Sequence, residues 1–102
     1  MLGIVVYFSV NYMDGFEIGY QLFDPAARNK GLMSEAVRMA VDYLFSQHKI
    51  NRLQVVIAPV NEPSKRLALK LGFRFEGTLR GNVFHHGANH DSLLYSLIRS
   101  DT

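Results

Sequence analysis

The sequence of 102 residues contains no cysteine, few prolines and almost no excess charge. Without cysteine the chain has neither a disulfide framework nor a thiol nucleophile, which fits a protein of the reducing cytoplasm. Its 11 basic and 9 acidic residues leave a net charge of +2, too little to form a surface for nucleic acid. We therefore expect a cytoplasmic protein whose partners do not include nucleic acid.

The sequence also lacks a long hydrophobic run. The apolar stretch from Leu2 to Val10 is about half as long as a membrane span requires. It has neither the basic start nor the small-residue cleavage site of a signal peptide. This stretch is typical of a β-strand, and no membrane partner is expected.

What the sequence does contain is a set of short β-rich and amphipathic segments in one domain-sized chain. Asp14-Gly15 between two β-rich runs predicts a hairpin, and Asp24-Pro25 ends its second strand. A strand, a helix and a strand follow one another next, which predicts parallel strands with a right-handed crossover. The fold class is therefore α/β with a mixed sheet and a C-terminal hairpin. Strands are predicted near 2–10, 16–23, 53–58, 73–80 and 92–98, and helices near 32–48 and 61–71.

The longer predicted helix carries its polar side chains on one narrow stripe. Spacings of three and four residues align Ser34, Arg38 and Asp42. Because apolar residues occupy the rest, we expect this helix to be buried over most of its circumference.

The loop before this helix is a candidate anion site. The first N–H groups of a helix lack internal acceptors, and the helix dipole adds partial positive charge there. Arg28 and Lys30 would add full charges. An ordinary solvated loop remains the alternative.

Arg28-x-x-Gly31-x-Met33 resembles the acetyl-CoA pyrophosphate motif of the GNAT N-acetyltransferases. The most similar branch is that of the RimJ/RimL-like ribosomal-protein alanine N-acetyltransferases. Other matching motifs lie in order along the chain: Ile18-Gly19-Tyr20, Asn61-x-x-Ser64, Lys70-Leu-Gly72-Phe73, Glu76-Gly77 and Asp91-x-x-x-Tyr95. The resemblance covers essentially the whole chain, so residues 1–102 are expected to form a single GNAT-type domain.

The resemblance implies acetyl-CoA as co-substrate and no metal. Arg28 would flank the pyrophosphate, while Leu22 and Phe23 would pair with the pantetheine arm through their backbones in a splay between parallel strands. Asn61 would either bond the pantetheine or only cap the second helix. The backbone N–H groups expected to cradle the pyrophosphate are those of Asn29, Lys30, Gly31, Leu32 and Met33. Met33 departs from the small residue usual at the last motif position.

The resemblance also bears on the catalytic residues. The resemblance assigns Ser64 as general acid, since Ala68 stands where many family members carry a tyrosine. Val83 replaces a carboxylate that the branch can use as base. Glu35 and Glu76 are expected to be structural or solvated. The three histidines His85, His86 and His90 are expected at the surface of a hairpin loop rather than around a metal.

The resemblance implies that an N-terminal third, which forms much of the acceptor pocket, is missing from this sequence. The sequence would then be a fragment, the product of a truncated gene, or a chain whose partner supplies the missing wall. The predicted function is an acetyl-CoA-dependent N-acetyltransferase acting on a primary amine, with a protein N-terminal α-amine as one candidate. The alternatives are a non-catalytic CoA-binding domain, and a structural domain that forms a homo-oligomer through its exposed first strand.

Overall fold

The computed structural model describes residues 3–10, 13–22 and 32–102. These residues form a mixed sheet in the order β1-β2-β3-β5-β4, with two helices, which confirms the predicted fold class. No helix within these ranges is long and apolar enough to cross a membrane. The elements are β1 Gly3–Ser9, β2 Gly15–Leu22, α1 Leu32–Gln47, β3 Arg52–Ile57, α2 Glu62–Lys70, β4 Arg74–His85 and β5 Ala88–Ile98, followed by a 3-10 turn at Arg99–Asp101.

Both helices lie on the same face of the sheet. The connections β2–α1–β3 and β3–α2–β4 step in the same direction along the strand order, and right-handed crossovers then place both helices on one side. The Nζ of Lys70 on α2 donates to Oγ of Ser34 on α1 at 3.3 Å, which joins the helices directly. We call this side the helix face and the other the opposite face.

The core lies between the helices and the sheet. It consists of the buried residues Ile18, Val37, Val41, Leu44, Phe45, Leu53, Val55, Ile57, Ala68, Phe73, Tyr95 and Leu97. Only one stripe of α1 side chains belongs to this core, since Met39 is 68% exposed and Tyr43 is 54% exposed. The prediction that α1 is buried over most of its circumference is therefore wrong.

The ends of α2 are set by local sequence. The side chain of Asn61 accepts from the N–H of Ser64 at 3.2 Å and caps the N-terminus. At the other end, Gly72 has φ +93°, its N–H reaches the carbonyl of Leu69, and the N–H of Phe73 reaches the carbonyl of Ala68. This pair of bonds is a Schellman motif, and it turns the chain from α2 into β4.

The end of α1 is held by Arg99. Its guanidinium donates to the carbonyl oxygens of Phe45 at 3.0 Å, His48 at 2.8 Å and Ile50 at 2.8 Å. Helix C-terminal carbonyls lack internal donors, and a cation there also complements the helix dipole. Arg99 directly follows β5 in the chain, and its bonds thus join the end of α1 to the end of β5.

The C-terminal hairpin is longer than the sequence suggested. β4 and β5 pair as far as His85↔Ala88, and the turn is the two residues His86 and Gly87, with φ of 51° and 75°. His85 and His90 therefore lie in strands, so their predicted position in a hairpin loop is wrong. Among the residues that the structure describes, no cluster of side chains suited to a metal ion occurs.

Candidate active site

The central feature of the site is a cleft between two parallel strands. β2 and β3 pair only at Gly15↔Arg52, Phe16↔Leu53 and Glu17↔Gln54. Residues 18–22 of β2 and 55–57 of β3 continue without pairing to each other. We call the gap between these two segments the cleft, and the Glu17↔Gln54 pair its apex. The predicted splay of the parallel strands is therefore confirmed.

The strands meet tightly at the closed end below the apex. The carbonyl of Asp14 accepts from the N–H groups of Asn51 at 2.9 Å and Arg52 at 3.0 Å. A Cβ added to Gly15 would lie 1.6 Å from the carbonyl oxygen of Arg52. Because no side chain fits there, glycine is what permits the close approach from which the cleft opens.

A polar row crosses the opposite face at the apex. Gln54 is nearly buried, and its Nε2 donates to Oε1 of Glu17 at 2.8 Å. The Gln54 Oε1 accepts from Nη2 of Arg52 at 3.1 Å, and Arg52 Nη1 donates to Oε2 of Glu76 at 3.1 Å. The row fixes the position of the Glu17 carboxylate, which lies where the cleft ends.

The two carboxylates in this row differ in their partners. Hydrogen bonding to Arg52 holds the pKa of Glu76 below its usual range, although partial burial acts in the other direction. Glu76 is thus the ion-pair partner of Arg52, as its predicted structural role requires. Glu17 accepts from a neutral amide and lies beside the apex. Its carboxylate is therefore the better placed of the two to accept a proton from a molecule in the cleft.

We call β2 one wall of the cleft, and β3 with the first turn of the following helix α2 the other wall. On the helix face, Tyr20 connects these two walls. The hydroxyl of Tyr20, on β2, donates to the carbonyl oxygen of Ser64 in the first turn of α2 at 3.1 Å. Burial raises the pKa of Tyr20 to about 12. Tyr20 is thus a neutral hydrogen-bond donor at any pH at which the protein would work.

Asn61 also lies beside this wall. Its Oδ1 caps α2, as one of its two predicted roles requires. Its Nδ2 makes no hydrogen bond to any residue that the structure describes. The capping role therefore leaves the amide nitrogen able to donate to a ligand, and the two predicted roles are compatible.

The predicted cofactor residues divide into described and undescribed positions. Leu22 is the last residue of β2, at the mouth of the cleft, and Leu32 begins α1. The half-buried Met33 packs against the core. The remaining predicted residues, Phe23, Arg28, Asn29, Lys30 and Gly31, lie outside the described residues.

The positions at which the sequence departs from the family pattern have their own structural roles. Ala68 is 2% exposed and part of the core, so α2 presents no proton donor there. Val83 is half exposed on β4. Ser64, the predicted general acid, is partly buried in the first turn of α2, next to the Tyr20 hydroxyl.

Two functional candidates were missed by sequence reasoning. The hydrogen bond between Tyr20 and Ser64 joins residues 44 positions apart, so no local sequence pattern predicts it. Glu17 had a weak signal, because Glu17 and Gln54 are polar residues within the two strands predicted to be parallel neighbours. Their pairing was the missing information.

The family model and the relatives that match this chain indicate the same family of proteins. A profile of the acetyltransferase (GNAT) domain matches residues 1–74. The chain is 39% identical over 83 residues to YoaA, an uncharacterized N-acetyltransferase of Bacillus subtilis, a match that covers 81% of the chain and 46% of the relative. The chain spans about half the length of the curated relatives it matches.

Solved structures superpose on almost the whole chain. The ribosomal-protein-S5-alanine acetyltransferase of Vibrio fischeri matches with a TM-score of 0.88 and 30% identity, over 98% of this chain and 55% of that one. RimJ of Mycobacterium smegmatis, solved with CoA-disulfide, matches with a TM-score of 0.88 over 98% of this chain and 48% of that one. Its 24% identity makes this second match a likeness of fold.

Proposed function

Because the chain belongs to the GNAT acetyltransferase family, we propose that it is a cytoplasmic, acetyl-CoA-dependent N-acetyltransferase that acts on a primary amine. The acceptor that we propose is a protein N-terminal α-amine. The observation that carries the proposal is the cleft, since it opens at the edge of the sheet where the predicted pyrophosphate loop leaves β2. The acceptor is supported by the similar protein of Vibrio fischeri, which is a ribosomal-protein-S5-alanine acetyltransferase.

In this proposal the cleft holds the pantetheine arm. Beyond the apex, neither strand makes ladder hydrogen bonds to the other, so their facing backbone groups are available to an extended ligand. Leu22 and Phe23 would pair with the arm, and Asn61 Nδ2 would donate to one of its carbonyls. Arg28 and the backbone of residues 29–33 would hold the pyrophosphate at the N-terminus of α1. The CoA-disulfide in a protein of the same fold supports this use of the fold.

The reaction needs two proton-handling groups, and in this proposal one comes from each face of the cleft. The nitrogen of the neutral amine attacks the thioester carbon, the carbon–nitrogen bond forms, and the carbon–sulfur bond breaks. Glu17, on the opposite face, would take the proton that the amine loses. Ser64, on the helix face, would give a proton to the departing sulfur and recover one from solvent. The net result is an amide and a free thiol.

The test uses the absence of cysteine. A protein with no thiol gives no background in an Ellman assay of released CoA. Calorimetry with acetyl-CoA should show saturable binding, and turnover should appear with a peptide that has a free N-terminal alanine but not with its N-acetylated form. Spermidine and a lysine side chain complete the amine panel. Well-folded protein that shows no saturable binding of acetyl-CoA would refute the proposal.

Variants then assign the roles. Glu17→Gln keeps a hydrogen-bonding partner for Gln54 and removes the basic carboxylate, so we expect kcat to fall at least tenfold with the Kd for acetyl-CoA unchanged. Ser64→Ala should likewise lower kcat rather than affinity. Asp42→Asn and Ser46→Ala, both exposed on α1, are the matched controls and should leave both quantities unchanged.

A second candidate is a non-catalytic CoA-binding domain. It is favoured by the buried Ala68, which replaces the tyrosine that many family members use as the acid. This candidate predicts saturable binding of acetyl-CoA without thiol release for any amine. Robust turnover would eliminate it.

Self-association is a separate proposal. β1 is an edge strand of the sheet, and Val6, Tyr7 and Phe8 are each about half exposed. We propose pairing of two copies through this edge. Light scattering at high protein concentration should then report a dimer, and a monomer would refute it.

A further inference from the structure

The bond between Tyr20 and Ser64 crosses the cleft. Tyr20 lies on β2 three residues beyond the apex, where β2 no longer pairs with β3. Ser64 lies on α2, which follows β3 in the chain. The hydroxyl of Tyr20 donates to the carbonyl of Ser64 at 3.1 Å, so one hydrogen bond spans the two diverging walls.

The bond fixes Ser64 from one side, and the helix cap fixes it from the other. The N–H of Ser64 donates to Asn61 Oδ1 at 3.2 Å, while its carbonyl accepts from Tyr20. Both main-chain polar groups of Ser64 are therefore held by side chains, one local and one from the far wall. Tyr20 therefore links the main chain of Ser64, and with it the first turn of α2, to β2.

The phenol is suited to this task. Tyr20 packs against the core on the helix face, and the ring is half-buried. Its hydroxyl stays protonated, because burial holds its pKa well above neutrality. A rigid ring with two side-chain torsions loses little conformational entropy when its end is fixed, compared with a lysine or glutamine of similar reach.

We propose that Tyr20 is a positioning residue that holds Ser64 at the wall of the cleft, within reach of the sulfur of bound CoA. This inference rests on the proposed function. Tyr20 itself touches neither substrate nor reacting atoms in it. Its effect passes through the main chain of Ser64.

The experiment places a reporter at position 64. The chain has no cysteine, so Ser64→Cys introduces a single thiol. If residue 64 lies beside the sulfur of bound CoA, this thiol should attack CoA disulfide to form a mixed disulfide and release one CoA thiol. For each variant, the rate at which its thiol reacts with CoA disulfide is divided by the rate at which it reacts with bis(2-hydroxyethyl) disulfide. The second reagent carries no nucleotide and therefore reports the intrinsic reactivity of the thiol. Ser46→Cys, at the far end of α1, gives the background ratio.

We expect the ratio for Ser64→Cys to exceed that for Ser46→Cys at least tenfold. Adding Tyr20→Phe, which removes one oxygen, should lower the ratio about tenfold while calorimetry finds the Kd for CoA within twofold of the parent. A ratio that Tyr20→Phe leaves unchanged would overturn the positioning role. A ratio for Ser64→Cys equal to background, with CoA bound normally, would overturn the location of Ser64. Absence of CoA binding in the unsubstituted chain would instead remove the proposed function, and this inference with it.

If the chain turns over acetyl-CoA, a double-mutant cycle gives a second readout. Tyr20→Phe should lower kcat about tenfold with an unchanged KM for acetyl-CoA, and should lower it no further in the Ser64→Ala background. Equal fold-losses in both backgrounds would show a structural effect that does not act through Ser64, and would overturn the proposal.

Discussion

Replacing Gly15 by alanine tests the closed end from which the cleft opens. The added Cβ would lie 1.6 Å from the carbonyl oxygen of Arg52, whereas real Cβ contacts are not shorter than 3.0 Å, so the strands must separate by about 1.4 Å. That separation removes the two hydrogen bonds of the Asp14 carbonyl, at about 1 kcal/mol each. It also loosens the pairing of Phe16 with Leu53 and the packing of Phe16 against the core, for roughly a further 1–2 kcal/mol.

We therefore expect Gly15→Ala to lower the free energy of unfolding by about 3–4 kcal/mol, a large part of the stability of a small domain. For a chain of this length, the midpoint of thermal unfolding should fall by roughly 15–25 °C. Urea denaturation followed by circular dichroism measures the first quantity, and a thermal scan measures the second.

Gly19→Ala is the matched control, because it makes the same substitution in the same strand. There the added Cβ would meet the end of the Val6 side chain at 3.3 Å, which a small side-chain movement relieves. Gly19→Ala should change the free energy of unfolding by no more than about 0.5 kcal/mol. If Gly15→Ala were as mild as this control, β2 and β3 would not meet as closely as described, and the account of the cleft would be wrong.

Three other predictions concern elements around the site. Arg99→Lys keeps the charge but loses the fork of donors at the end of α1, so the free energy of unfolding in urea should fall by about 2–3 kcal/mol. Wild-type stability would show that a positive charge alone is enough to hold the end of α1. Gly72→Ala places a side chain at φ +93°, with its Cβ at an ordinary contact distance of 3.7 Å from Leu97 Cδ1. Backbone strain rather than a clash should therefore lower the free energy of unfolding by about 1 kcal/mol, and Gly72→Asn should lower it less. Equal losses of stability in the two variants would argue against strain. The pKa of Glu76 is lowered in the folded chain, so its pair with Arg52 stabilises above the unfolded pKa and stops doing so as pH falls through the folded one. The stability difference between wild type and Glu76→Gln should therefore shrink below about pH 4, and a pH-independent difference would contradict this.

The features that the sequence predicted best depend on neighbouring residues. Asn61 caps α2 and Gly72 ends it, because both effects act within one helical turn. The splay of the parallel strands came from the family resemblance, and the pairing of the strands confirms it.

The errors concern features set by distant partners. Whether Met39 and Tyr43 are covered depends on what lies above α1, which the period of a helix does not specify. The polar residues around His85 and His90 resemble a loop, yet a strand exposed to solvent tolerates them when its neighbour pairs with it. The Tyr20–Ser64 bond could not be predicted for the same reason, since it depends on the packing of α2 against β2.

The short junction between β2 and β3 also has a consequence for dynamics. Three register pairs connect a two-stranded unit, β1–β2, to a three-stranded unit, β3–β5–β4. Native-state hydrogen exchange should therefore find two cooperative units of different opening free energy rather than one. A ligand bound in the cleft would bond to both units at once, and the exchange rates of their amides would then converge. The same ligand that the chain is proposed to consume would thus help complete its sheet.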